Sequence, residues 1–320
     1  MKIPSHLPVA HHDEVWSILD STKLQSFSSC PRSFFFEYIL GWRSEHMSNH
    51  LIFGQAWHEA LEHIYRNGMN PECVRDAYTL FLSKYRSQFP ESTDSWFKGK
   101  TPDNALIGLV EYVKNYASDA YEFEVLDTEV GGQVAISDDR LITVKLDLIA
   151  KKGDKIVALE HKTGSACGPS WERQWALSIQ VGAYLHALNS AYHSYGRSTI
   201  YVNGTFFYVK ERKFHRIPCI RGGEAMLNWL NTVNTLYDRI EFELELLSEC
   251  KASDVILRAF PMNPMACNNY AGCQFHDLCT CVPNPLKHAQ SGPPSGFVEF
   301  WWNPLNEVKN PIENMIGGNH

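Results

Sequence analysis

The sequence predicts an α/β fold with its sheet in the middle of the chain, and three observations carry that expectation. Helical patterning runs from about Ser21 to Tyr121. The stretch from Glu122 to His161 is strand-like, with a period of two. A helical stretch from Trp171 to Ser190 then leads into strand-like runs at Thr199 to Lys210 and Lys213 to Pro218, and helical spacing returns from Gly222 to Ser248. Four regions follow: a helical part (1–121), an α/β core (122–250), a cysteine segment (251–284) and a turn-rich tail (285–320).

Composition narrows the class. With 320 residues and 44% hydrophobic content the chain can bury one large core, and no apolar run is long enough to cross a bilayer. Nine cysteines, an odd number, and an opening Met1-Lys2-Ile3-Pro4 without a signal-peptide core argue against a disulfide framework and for a reducing cytoplasm. A formal net charge of −7 argues against a general nucleic-acid coat protein. It leaves room for an acidic centre offset by metals, with a local basic path that Lys145, Lys151, Lys152, Lys155 and Arg173, or Lys98 and Lys100, would supply.

The chemistry concentrates on a hairpin and the helix after it. In Leu141 to Ile149, the residues Ile142, Val144, Leu146 and Leu148 share one face, so Asp147 points to the other with Thr143 and Lys145. After the turn Lys151-Lys152-Gly153-Asp154, the run Lys155 to Lys162 puts Glu160 and Lys162 on one side. Two carboxylates on adjacent strands suit one or two Mg²⁺ or Mn²⁺ ions, which polarise a phosphodiester and acidify bound water. Lys162 would position that water or neutralise the transition state. Taken alone, the Glu-x-Lys pair fits an ordinary surface ion pair as well. Gln180 and Tyr184, four residues apart, share one helical face.

Asp147, Glu160-His161-Lys162-Thr163-Gly164 and Gln180-Val181-Gly182-Ala183-Tyr184 together resemble the RecB-like branch of the PD-(D/E)XK nucleases, whose pattern is Asp, Glu/Asp-x-Lys-Thr-Gly and Gln-x-x-x-Tyr. The opening Ser21 to Tyr38, with its Cys30-Pro31 step, is similar to the start of that family, and Phe53-Gly54 through Glu62 resembles its Gly-x-x-x-His element. The resemblance implies a restriction-endonuclease-like mixed sheet flanked by helices and a metal-dependent deoxyribonuclease. An exonuclease on DNA ends or single strands is the expected mode, in recombination, repair or phage DNA processing, with DNA and recombination or replication proteins as partners. A structure-specific endonuclease, a Cas4-like DNA-processing subunit or a non-catalytic end-binding scaffold are its alternatives. It also implies that His58, Asp147, Glu160 and the backbone carbonyl of His161 bind metal, that Lys162 handles the water, and that Gln180 and Tyr184 hold the site and guide the strand. Where the family often has Gly three residues before the Asp, this chain has Val144. Glu129 fits either a further acid near the metal or a solvated acidic edge. His58 and His63 are five residues apart, one too many for a zinc-protease helix.

Cys30, Cys267, Cys273 and Cys279 form the second candidate site. Four Cys ligands are what an iron–sulfur cluster takes. Zinc competes, with His276 or Cys281 as substitutes, and unligated thiols remain open too. Branches of the same family carry one N-terminal and three C-terminal cysteines around a 4Fe–4S cluster, so the resemblance implies a C-terminal region stapled by iron and sulfur to the first helix. Five residues separate successive C-terminal cysteines here, against a tighter Cys-x-x-Cys pair in the family. Cys73, Cys167, Cys219 and Cys250 are expected to be unligated. The aromatic run Phe297 to Trp302 is expected to dock on the domain.

Overall fold

The computed structural model describes residues 3, 7, 15–192, 197–208, 210–268, 272–289 and 291–312. Helices α1 (Ser21–Ser29) and α2 (Pro31–Phe34) precede a π-helical turn, Phe35–Ile39, and a short strand β1 (Trp42–Ser44). Helices α3 (Asn49–Asn67), α4 (Pro71–Arg86), α5 (Pro102–Asn115) and α6 (Asp119–Glu122) follow. Next come strands β2 (Glu124–Ala135), β3 (Leu141–Lys152) and β4 (Lys155–Gly164), then α7 (Pro169–Gln174), α8 (Ile179–Ala191), β5 (Thr199–Phe207), β6 (Arg212–Cys219) and α9 (Gly223–Ser248). Short elements α10 (His276–Cys281), α11 (Leu286–Ala289), β7 (Phe297–Glu299) and β8 (Asn310–Pro311) close the described chain.

Strand β1 falls within the stretch expected to be helical, β5 ends at Phe207 rather than Lys210, and two further boundaries differ for identifiable reasons. The helix read as Trp171 to Ser190 is broken by a 3₁₀ turn at Trp175–Leu177, and α8 starts afresh where Ser178 caps the Val181 amide. A serine at this point offers the backbone an alternative to continued helix. The strand expected from Glu122 begins at Glu124, because α6 runs through Glu122 and the Phe123 amide still bonds back to Asp119.

The chain divides into two compact units, each assembled from separated stretches: Met1–His46 with Gln133–Thr143 and Gly223–Glu307, and Met47–Gly132 with Val144–Gly222 and Val308–His320. The first unit has an aromatic core. Phe34 stacks on Phe260, Phe36 on Trp42, and Phe275 on Phe297. The buried Arg32 guanidinium donates to the carbonyls of Phe260 (2.8 Å) and Leu257 (2.9 Å), tying α2 to the segment before the C-terminal cysteines. The aromatic tail docks within this unit: β7 pairs antiparallel with β1, and Phe300 donates to the Gly41 carbonyl. Gly41 has φ +68°, and a Cβ there would sit 2.4 Å from the Trp301 ring, so only glycine fits.

The second unit carries most of a six-stranded sheet in the order β6-β5-β4-β3-β2-β8; the far ends of β2 and β3 fall in the first unit. Strands β4 and β5 run parallel, whereas β3–β4 and β5–β6 are antiparallel. The sheet is therefore mixed, as expected. Helix α3 covers it because Ile52, Phe53, Ala56, Trp57, Ala60, Leu61, Ile64 and Tyr65 form one apolar stripe, packed with Leu148, Val157, Leu159 and Phe207. Each fully buried Ile, Leu or Phe side chain among them contributes about 1.5–3 kcal/mol. His58 follows the stripe residue Trp57, and the stripe sets its place.

Candidate active site

The β3–β4 ladder runs from Lys152↔Lys155 to Leu148↔Leu159. One residue beyond it, Asp147 and Glu160 share a face by strand alternation, opposite the core residues Leu148 and Leu159. Here the Asp147 side chain takes over from the backbone: its Oδ2 accepts the His161 amide at 2.7 Å. Its other oxygen, Oδ1, lies 3.1 Å from His58 Nδ1 on α3. Burial pushes the Asp147 carboxyl up, but the charge and hydrogen bond of His58 and the amide of His161 outweigh it and hold the acid well below the usual carboxylate range. His58 is in turn raised, since Asp147 overcomes the cost of burial.

Glu160 is the most constrained acid. Its Oε1 accepts from Lys162 Nζ (2.6 Å) and Gln180 Nε2 (3.1 Å), and Gln180 also donates to the Tyr184 hydroxyl at 2.8 Å. Helical pitch on α8 places Gln180 and Tyr184 to act as a pair. Burial, followed by the Asp147 charge, raises the Glu160 carboxyl to about 7. Burial presses Lys162 down, but the charge and hydrogen bond of Glu160 outweigh it and raise it, so it stays charged. Its ammonium also lies over the Trp175 ring, 5.9 Å from the centroid.

Glu129 proves buried rather than a solvated edge: it is 5% exposed, and Lys145 Nζ lies 2.6 Å from its carboxylate. Burial and then Asp147 raise its carboxyl. Its φ is +52°, a left-handed conformation that costs a non-glycine residue about 1–3 kcal/mol and tends to occur where function demands it. The His161 imidazole lies among the rings of Tyr65 (5.5 Å) and Tyr112 (6.1 Å), and burial drives it down to about 3, so it is neutral.

Donor spacing separates the predicted sets. Among the described residues, the group of three ligand-type side chains whose donor atoms all lie within 4.8 Å of one another is Cys167, Glu172 and His215. Neither His58–Asp147–Glu160 nor the four cysteines is drawn that tightly. They are nevertheless gathered: Asp147 and Glu160 feel each other's charge, and Cys279 feels Cys30, Cys273 and Cys267. Cys30, Cys267 and Cys273 line a cavity of about 350 Å³ with Ser26, Ser29, Ser33 and Asn263. The Cys279 thiol is raised to about 11 by burial, with Arg32 opposing and the other three thiols adding to it. None of the nine cysteines forms a disulfide.

The family model for the PD-(D/E)XK nuclease superfamily matches residues 21–280. The chain belongs to that superfamily. The nuclease is also similar in fold to a crystal structure from Eubacterium rectale, provisionally described as an exonuclease. Identity is 11%, coverage 78% of this chain and 88% of that one, and the TM-score 0.49. No curated protein matches. Nucleases of this superfamily typically use Mg²⁺ or Mn²⁺. The residues here fit such an ion. Glu160 Oε2 is buried without a hydrogen-bond partner among the described residues, and oxygen-rich donor sets suit hard cations. At the cysteine cavity, lined by Cys30, Cys267 and Cys273, the Cys273 and Cys279 thiols are raised by burial and by neighbouring thiols, and a donor set so rich in sulfur suits a soft metal group.

Several residues beside the site carried no local signal. Trp175 meets Trp171 edge to face, ring centroids 5.5 Å apart, and caps Lys162. Lys100, read as part of a basic path, is buried, with Nζ donating to Thr163 Oγ1 at 2.9 Å and a pKa pushed by burial down to about 8. Beneath His161, Arg216 forms a bidentate pair with Asp119, which also accepts from Tyr65. Among the described residues, no helix is long and apolar enough to cross a membrane.

Proposed function

We propose that the nuclease hydrolyses DNA phosphodiester bonds with Mg²⁺ or Mn²⁺ and works as an exonuclease on ends or single strands, within the RecB-like branch. The observation that carries this reading is Glu160: one oxygen is held by Lys162 and Gln180, while the other is buried without a partner. Asp147 and Glu160, with His58 and the His161 carbonyl, would hold the cation. When bound, it would polarise the scissile phosphate and lower the pKa of attacking water.

The chain's own residues do the rest. Lys162, kept protonated by Glu160, donates to the attacking oxygen or to the charge that develops on the phosphate. His58 and the His161 amide fix the Asp147 carboxylate in orientation and keep it ionised. Gln180 and Tyr184 set the Glu160 rotamer from α8 and offer polar groups to the strand. Cys30, Cys267, Cys273 and Cys279 would hold a 4Fe–4S cluster that braces the first unit.

The test is digestion of end-labelled single strands, duplexes and covalently closed circles with Mg²⁺, Mn²⁺ or chelator. Shortening from ends with circles spared supports the reading. Cut circles would make it an endonuclease, and binding without cleavage under every ion would make it an end-binding scaffold. Iron and acid-labile sulfide in anaerobically prepared protein test the cluster; zinc in their place overturns it.

A further inference from the structure

We propose that Cys167, Glu172 and His215 form a separate site for a borderline-soft divalent cation of the Zn²⁺ class. The three come from different elements of the second unit. Cys167 lies in the loop after β4, Glu172 on α7 and His215 on β6. Their donor atoms all lie within 4.8 Å of one another, and His215 Nδ1 is 3.5 Å from a Glu172 oxygen. The Cys167 backbone is pinned, its amide donating to the Tyr208 hydroxyl at 2.9 Å.

The donor chemistry selects the metal. Thiolate, imidazole and carboxylate together suit Zn²⁺, whereas Mg²⁺ takes oxygen donors and holds its waters. Three protein ligands leave a fourth position for water. Binding replaces the thiol proton: the S–H bond of Cys167 breaks, a sulfur–metal bond forms, and the proton passes to solvent. Because the thiol must lose its proton to bind, the site loads more readily as pH rises.

The register gives the site a purpose. Lys162 pairs with Gly204, and Gly204 with His215, so all three occupy one row across β4, β5 and β6 and face the same way. A Cβ at Gly204 would lie 2.5 Å from the Trp171 ring, so the missing side chain lets Trp171 lie over this row. Trp171 packs on Trp175, which caps Lys162. A cation on Cys167, Glu172 and His215 would clamp the 165–174 segment to β6 and hold this tryptophan wall beside Lys162. The inference does not depend on the substrate or mode of cleavage.

The test is alkylation of the full-length protein by iodoacetamide, mapped to each cysteine, with Zn²⁺, with Mg²⁺ and with neither. Zn²⁺ should slow modification of Cys167 by about tenfold or more, since a coordinated sulfur is not a free nucleophile, and Mg²⁺ should not. His215→Ala should remove that protection. Loss of even an outer partner costs a metal site about 10–100-fold in affinity, so loss of a ligand should cost at least that. Equal modification of wild-type Cys167 with and without Zn²⁺ overturns the proposal. So does protection that survives both His215→Ala and Glu172→Gln.

Discussion

The carboxylate centre and the thiol centre are built on opposite principles. At the first, the charges are answered by the protein itself: Asp147 by His58 and the His161 amide, Glu160 by Lys162 and Gln180, Glu129 by Lys145. The groups sit on strands and long helices whose register fixes them. At the second, Cys267 and Cys273 lie outside long elements, Cys279 is on a six-residue helix, and burial followed by neighbouring thiols makes Cys279 harder to ionise. Arg32, the cation nearby, is committed to the carbonyls of Phe260 and Leu257. The first centre can hold its shape without a cation, as an exchangeable catalytic ion requires. The second would gain its order from a bound group, as a structural group requires.

The largest test of the first half is Lys162→Ala. Without the ammonium, DNA cleavage should fall by about 10²–10³-fold or more, the range for one transition-state donor. Glu160 then loses its main opposing charge and should bind a proton more readily, so the fold should survive. Single-turnover cleavage and filter binding check both parts. Cleavage at the wild-type rate would reduce Lys162 to an ordinary ion pair.

Cys267→Ser tests the second half. Iron content should fall to background and the first unit should melt several degrees lower, at about 2–4 °C for each kcal/mol lost in a unit of this size. Lys162→Ala should keep its full iron content. If Cys267→Ser keeps both iron and melting temperature, Cys267 is not a ligand and the contrast between the centres fails. Elemental analysis and calorimetry on both variants decide it.

What was legible in the sequence tracks the same contrast. Asp147, Glu160 and Lys162 could be placed because a strand repeats every two residues, and Gln180 with Tyr184 because a helix brings the fourth residue round. The strands after the helical region followed from the same periodicities, whereas the mixed sheet was an expectation of the family resemblance. Ser178, which restarts the helix, was hidden because capping depends on which backbone amides lack partners. Trp175 reaches Lys162 only through a 3₁₀ turn, and Arg216 meets Asp119 across 97 residues of chain. No local pattern reports such contacts. The left-handed backbone at Glu129 was equally silent, since neighbouring acids made that stretch look solvated. Cys167 was set aside as an unligated thiol because its partners Glu172 and His215 lie on two other elements.

The smallest effect sharpens the comparison most, because it asks how far the carboxylate centre is preassembled. Gln180 donates to both Glu160 and Tyr184, yet Lys162 already holds the same Glu160 oxygen. Gln180→Ala therefore removes one orienting hydrogen bond and leaves the charge balance in place. A hydrogen bond to a charged group contributes about 1.5–3 kcal/mol, of which Lys162 should retain part. Cleavage should drop by roughly tenfold, about 1.4 kcal/mol, with metal affinity less affected than rate. Titration of Mn²⁺ alongside single-turnover cleavage separates the two. A loss as deep as that of Lys162→Ala would mean that α8 assembles the centre rather than trims it, and that the carboxylates are less ordered in advance than their partners suggest.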